Sequence, residues 1–361
     1  MIKILHIIED FSLSSGGLRT VVKDLNEKLN NYGFKSYIIS SDKENEEEVF
    51  IVRSENKWNY SARWKREIIS RIKELNIDII HIHGVWMYPQ FIASKIALKM
   101  DIPFILTPHG MYEPWLWKKG ALKKKYYFKG ISYKYFSKAN VIQAITSDEK
   151  ENLKVLFPKT KIIEIPNLIT SEFDDDYQRE IQKYILYVGR LDSKKGIDLL
   201  IESFSKLDTN KFKLKILGGF NEYKQELDEI VLSLNISDRV EFLGLKNGRE
   251  KDELFANAWV FVAPSYSEVI GMVNLESAIL KTPVITTYQT GLKKEFGKYG
   301  GLLINPEVGE LTKALTEVVN WSEEQRNTRG LELYNYVRSE YSWEMKFQDW
   351  IQTYESIKEG K

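Results

Sequence analysis

Short apolar runs alternate with longer amphipathic stretches along the whole chain. In the first half the runs are IKILHII (2–8), KSYIIS (35–40), VFIV (49–52), DIIHIH (78–83), PFILT (103–107), NVIQAI (140–145) and KIIEI (161–165). Most are separated by helical patterns, such as LRTVVKDLNEKLNNYG, which ends on Gly33 as helices often do. The second half restarts the pattern with KYILYVG (183–189), FKLKILG (212–218), RVEFLG (239–244), WVFVAP (259–264), PVITT (283–287) and GGLLI (300–304). Near-continuous β-branched runs separated by helices predict parallel strands covered on both faces. Two such series predict two doubly wound α/β domains.

The series are divided by IPNLITSEFDDDYQRE (165–180), which has no clear period and reads as a linker. The expected domains are therefore 1–170 and 171–338, followed by an amphipathic, aromatic helix over 339–361. KENEEE (43–48) reads as a solvated acidic loop.

Length agrees with this division, since 361 residues exceed one ordinary core. Lys and Arg number 52 against 51 Asp and Glu, a net charge of +1, which argues against a dedicated nucleic-acid binder. The absence of cysteine excludes disulfides and thiolate metal sites and is compatible with a cytoplasmic location. MIKILHIIED reads as a first strand rather than a signal peptide. No apolar run approaches the roughly 18 residues of a membrane span. The expectation is a soluble protein or one resting on a membrane surface.

Ligands of open α/β sheets sit at the carboxyl ends of strands, often against a helix N-terminus. After the first strand, Gly16 and Gly17 precede a helix; they suit either a phosphate or a plain flexible turn. After PFILT, His109 stands beside Gly110 and suits either a sugar hydroxyl or simple packing. His81 and His83 share one side of a strand. Their spacing suits a metal, but no third ligand is apparent nearby, which favours a structural role or support of a neighbouring site residue. After YILYV, Arg190 and Lys195 flank a turn into a helix from about residue 195 and form a candidate diphosphate clamp. After WVFVAP, SYSEVIGMVNLES places Glu268 before a helix expected near Gly271 and Glu276 inside it, heading for a core. Two carboxylates could each accept a hydroxyl pair from a different ring of one ligand.

Acid, seven residues, acid after a Pro-Ser loop resembles the E-x7-E motif of retaining glycosyltransferases of family 4, which have the GT-B fold. The resemblance extends to the Gly-Gly loop, Thr-Pro-His-Gly, Gly-Arg-Leu-Asp-x-x-Lys-Gly and KTPVITT, in the same order along nearly the whole chain. It departs at Val269 and Ile270, which replace the middle pair of the family's usual Glu-Gly-Phe-Gly. The resemblance implies two Rossmann-like domains, the first binding the acceptor and the second a nucleotide sugar, with the active site in the interdomain cleft. It implies that the C-terminal helix packs back on the first domain. Gly16 and Gly17 would lie near the donor phosphates and the acceptor, and His109 would contact the transferred sugar. Arg190 and Lys195 would neutralise the diphosphate. Glu268 would bind sugar hydroxyls, and the backbone of Gly271, Met272 and Val273 phosphate or sugar. Glu276 would bind the ribose. The implied reaction transfers a sugar from UDP or GDP, with retention and without a metal or other cofactor, as in bacterial surface polysaccharide assembly. Rival readings are a sugar-nucleotide 2-epimerase on a similar fold and a non-catalytic nucleotide-sugar or glycan-binding protein.

PWLWKKGALKKKYYFKGISYKYFSKANVIQAITS (114–147) holds eight lysines and no acid. Trp115, Trp117, Tyr126, Tyr127, Phe128, Tyr133, Tyr135 and Phe136 are interleaved with them. Residues 114–138 suit an anionic membrane surface, the inner face of the cytoplasmic membrane for a lipid-linked glycan acceptor. They equally suit a Lys-rich helix whose aromatics face the core. Nucleic acid is not expected to bind.

Overall fold

A computed structural model describes residues 1–12, 17–42, 49–54, 56–117, 120–170 and 177–360. Gly16, the acidic run 43–48, Lys118, Lys119 and the middle of the expected linker, 171–176, lie outside the described residues, as does the side chain of Trp115. The chain forms two compact units, Met1–Asn167 with Phe347–Lys361, and Leu168–Lys346.

The first unit contains strands β1 (Lys3–Ile7), β2 (Lys35–Ser40), β3 (Val49–Ile51), β4 (Ile79–His83), β5 (Phe104–Thr107), β6 (Val141–Ala144) and β7 (Ile162–Glu164). They form one sheet in the order β3-β2-β1-β4-β5-β6-β7, every pair parallel. Parallel strands need helical crossovers, and these bury both sheet faces. Accordingly β4, β5 and β6 are buried at every residue. Leu5, Ile7, Trp64, Ile80, Phe104 and Leu106 belong to the core. The crossover helix Ala62–Leu75 is held at its start by Ser61, whose side chain accepts from Arg63 N, and ends on Asn76 in the left-handed region.

The second unit contains β8 (Tyr184–Val188), β9 (Lys213–Leu217), β10 (Val240–Gly244), β11 (Val260–Ala263), β12 (Val284–Thr287) and β13 (Leu302–Ile304). Their order is β10-β9-β8-β11-β12-β13, again all parallel. The helix Glu323–Tyr341 opens on a Ser322–Gln325 capping box. It carries a buried Arg326, whose guanidinium donates to the carbonyls of Ala258, Trp259 and Lys281. These carbonyls supply the partners that a buried charged group requires.

The last helix, Trp343–Glu359, rejoins the first unit from Phe347 onward. Tyr354 is fully buried there, packed against Phe34, and Lys358 pairs with Asp78 at 3.2 Å.

In each sheet the strand order reverses once, between β1 and β4 and between β8 and β11. At such a reversal the crossovers leave towards opposite faces and open a crevice at the carboxyl ends.

Candidate functional site

The residues expected to hold a donor follow β8 and β11, the two strands at the reversal of the second sheet. After β8 the chain passes Gly189 and Arg190 into a short 3-10 turn, Ser193–Lys195, whose start is capped by Asp192 accepting from Lys194 N. The α-helix begins two residues later than the sequence suggests, at Ile197. Gly196 links the two at φ 67, and a Cβ there would lie 2.3 Å from the Pro264 carbonyl oxygen. Only glycine lets the loop after β8 press so closely on the loop after β11.

That approach brings Lys195 and Glu268 together. Lys195 Nζ lies 2.7 Å from Glu268 Oε1, with side-chain exposures of 17% and 14%. Ser265 Oγ donates to the same oxygen at 2.7 Å. The Tyr187 hydroxyl donates to the Arg190 carbonyl at 3.0 Å. Burial, then the charges of Glu268 and Asp192, hold the Tyr187 phenol well above its ordinary range, with Arg190 pulling the other way. Arg190 itself is exposed.

Gly271 caps the helix Met272–Ile279 without a side-chain bond. Its own N–H is taken by the Thr290 carbonyl and that of Met272 by the Ile270 carbonyl at 3.1 Å, leaving Val273 N–H as the first-turn donor at the helix start. Ile270, one of the two departures from the family motif, is buried. Glu276 does not enter the core as the sequence suggested. It is 28% exposed and pairs with Lys251 at 3.0 Å, because the helix turns this position towards the neighbouring helix Gly248–Asn257. The two acids therefore have separate partners. Asn274 was missed by the sequence reading; it is fully buried, with neither amide atom bonded among the described residues.

In the first unit, Gly17 begins the helix Gly17–Asn31. His109 stands at φ 53 in the left-handed region, between β5 and Gly110. Glu149, also missed, holds that turn. Its carboxylate accepts from Gly110 N at 2.6 Å and Ile145 N at 2.8 Å. Burial pushes the carboxyl up to about 7 against the pull of these two donors.

The third imidazole that sequence spacing did not supply is His6, on β1. Nitrogens of His6, His81 and His83 lie within 4.8 Å of one another, a set that could in principle hold a metal ion. Their hydrogen bonds describe a different arrangement. His81 bonds Tyr354 Oη at 2.7 Å and Thr107 Oγ1 at 2.8 Å. His83 bonds His6 at 2.8 Å and His109 at 3.0 Å. Both nitrogens of His81 and of His83 are thus occupied, and lone pairs do not converge on one point. Burial lowers all four imidazoles, His6 and His109 to about 3, so they are neutral near pH 7.

At the carboxyl ends of β1 and β2 a cavity of about 950 Å³ is lined by Glu9, Asp10, Ser41, Arg53, Lys57 and Asn59, among others. Burial pushes the Glu9 carboxyl up to about 7. Mixed acids, bases and amides suit a hydroxyl-rich ligand.

The basic segment divides by side. Phe136 is buried, and Trp117, Phe128 and Tyr135 pack on the first core. Leu122, Tyr126 and Tyr133 point outward, exposed by 72%, 75% and 46%. No helix among the described residues is long and apolar enough to cross a membrane.

Comparison with known proteins agrees with the architecture. The family described as Glycosyltransferase Family 4 matches residues 15–173, and Glycosyl transferases group 1 matches 170–330. An uncharacterized glycosyltransferase of Methanocaldococcus jannaschii is 29% identical, over 95% of this chain and 95% of its own. The alpha-monoglucosyldiacylglycerol synthase of Streptococcus pneumoniae is 24% identical, over 74% of this chain and 67% of its own. The crystal structure of Anabaena HepE in complex with UDP-glucose superposes with a TM-score of 0.78 at 15% identity, covering 99% of this chain and 100% of that one. With two all-parallel units of this topology and matches spanning residues 15–330, the chain belongs to the family 4 glycosyltransferases of GT-B fold.

Proposed function

We propose that this glycosyltransferase works with retention, moving a sugar from a nucleoside-diphosphate sugar to a glycan or lipid-linked glycan. The observation that carries the reading is the Lys195–Glu268 pair at the reversal of the second sheet, beside the helix start at Met272 and Val273. Lys195 and Arg190 supply positive charge to a departing diphosphate, and the helix N-terminus adds its dipole. Glu268 accepts from hydroxyls of the transferred sugar while keeping Lys195 in place. Glu276 accepts from the ribose, exchanging Lys251 for two hydroxyls. In this reading cationic side chains carry the leaving-group charge, and no metal takes part. The acceptor hydroxyl attacks from the face the diphosphate leaves, and the departing phosphate takes its proton. No carboxylate acts as nucleophile, in contrast to retaining hydrolases.

The polar cavity beside Glu9 in the first unit is the proposed acceptor site. UDP is the first nucleotide to test, given the UDP-glucose complex of HepE. Exposed Leu122 and Tyr126 among lysines support a peripheral contact with the anionic inner face of the cytoplasmic membrane. The alpha-monoglucosyldiacylglycerol synthase, a relative named for a glycolipid, fits that reading.

Calorimetric titration with free nucleoside diphosphate and with intact donor tests the assignment. Glu276→Gln is expected to weaken both ligands, by about 1–3 kcal/mol for a lost charged acceptor. Glu268→Gln, whose amide oxygen can still accept from Lys195, is expected to spare the free diphosphate and impair only the intact donor. Equal weakening of the diphosphate by both variants would reject one acid per ring. Release of nucleoside diphosphate only with acceptor separates transfer from epimerisation, which alters the sugar alone, and from binding, which releases nothing.

A further inference from the structure

The chain contains four histidines, and all of them meet in the first unit. Their hydrogen positions follow from their partners. Gln143 Nε2 donates to the Ile165 carbonyl at 2.6 Å, which leaves its Oε1 to accept from Thr107 Oγ1 at 2.6 Å. The threonine hydrogen is thereby used, so Thr107 accepts from His81 Nε2–H. His81 Nδ1 then accepts from the Tyr354 hydroxyl. One tautomer of His81 satisfies this chain.

The second chain runs from His6 through His83 to His109. His6 Nδ1 bonds His83 Nε2 at 2.8 Å, and His83 Nδ1 bonds His109 Nε2 at 3.0 Å. At the far end, His6 Nε2 is buried without a partner among the described residues. Neutral rings carry one hydrogen each, so the chain has two possible directions. If His109 Nε2 donates inward, the last hydrogen falls on His6 Nε2 and is stranded. If His6 Nδ1 donates outward, only a bare lone pair is left there. Stranded buried N–H groups are the rarer and costlier of the two defects. The outward direction leaves the hydrogen of His109 on Nδ1, which has no partner among the described residues, on a ring that is half-buried.

We propose that His6 and His83 are positioning residues that lock His109 as its Nδ1–H tautomer, so that His109 meets the transferred sugar as a hydrogen-bond donor. This rests on the proposed sugar transfer, with His109 near the transferred sugar as the family resemblance implies. Neither His6 nor His83 has to touch the substrate. Their role is to hold one proton on the outer nitrogen of His109, which His83 bonds directly and His6 reaches through His83.

Imidazole-¹⁵N-labelled full-length protein in a long-range ¹H–¹⁵N correlation spectrum tests the lock without any substrate. At pH 7.5 the expected pattern is Nδ1–H for His6, His83 and His109, and Nε2–H for His81. In His6→Phe, His83 loses its donor and is free to reverse, so His109 is expected to shift towards Nε2–H. With UDP-sugar and acceptor, kcat of that variant should fall about tenfold or more while the donor KM holds. His83→Phe should behave alike, and His83→Gln, whose amide can still donate to His109 Nε2, should recover both the tautomer and turnover. Nε2–H on His109 in the unaltered protein, or an unchanged His109 signal in His6→Phe, would overturn the lock. A shifted tautomer with unchanged kcat would overturn its link to transfer. Failure of the unaltered protein to turn over any donor would instead count against the proposed function, while the spectrum still decides the tautomer.

Discussion

At the scale of single residues, the two cations expected at the leaving group differ in their surroundings. Arg190 is exposed, so Arg190→Ala is expected to lower turnover by about one to three orders of magnitude and leave the urea midpoint unchanged. Lys195 partners a mostly buried carboxylate, so Lys195→Ala should lower turnover similarly and also destabilise the fold, by about 1–3 kcal/mol. Turnover near normal in both variants would reject the clamp. Lys195, Glu268 and His109 could be singled out as candidates because each stands in the loop after an apolar strand, the edge where ligands of open sheets collect. Glu149 and His6 were not. Glu149 acts through backbone N–H groups, which every residue has. His6 reaches His83 across 77 positions of sequence, and strand adjacency of that kind has no local period. The partial exposure of Glu276 was not legible, because the burial of one helix position depends on the neighbouring helix, here through Lys251.

At the scale of elements, the strands stood out because burial on both faces demands unbroken apolar runs, and β4 shows this at all five residues. The interruptions were hidden. The turn Ser193–Lys195 arises from a capping aspartate and from Gly196 pressing on Pro264. The π-helical turn Phe128–Ser132 arises where Phe128 packs beside Tyr112 and Trp117. The last helix offers a sharper test. Phe347, Trp350, Ile351, Tyr354 and Ile357 are buried, and Trp350 and Tyr354 lie against His81. Ending the chain after Lys346 should destabilise the first unit and spare the second, as read by hydrogen exchange of β4 against β11. Equal loss of protection in both would contradict the division into units.

At the scale of the whole molecule, stability should depend on pH with a definite sign. The four imidazoles are neutral in the fold and take up protons when unfolded, below their ordinary value of 6.5. Their contribution is therefore lost as pH falls towards about 3, the folded value of His6 and His109. Glu9 and Glu149 oppose this, holding protons in the fold up to about 7 against an ordinary 4.5, so their contribution is lost as pH rises between those values. Between about 4.5 and 6.5 the four imidazoles outweigh Glu9 and Glu149, together with the raised carboxyls of Glu113 and Asp252, and stability should rise with pH. Urea unfolding at pH 5, 6, 7 and 8 reads this; a flat or falling profile from 5 to 6 would refute it. The outward-facing basic segment predicts binding to vesicles containing anionic lipid that weakens as salt rises. Changing Lys123, Lys125 and Lys129 to Glu should weaken it further, with Lys124 kept because it lies over the Trp86 ring. Equal binding to neutral vesicles would remove the electrostatic part. The return of the last helix to the first unit also sets an order of events at the ribosome. The second unit is one continuous stretch, Leu168–Lys346, and can fold as soon as it emerges. The first unit, though translated first, waits for Tyr354. At about 5–20 residues per second the delay is on the order of ten to forty seconds. During it, the buried histidine strand lacks its cover, and the nascent chain is open to chaperones on the side that was made earliest.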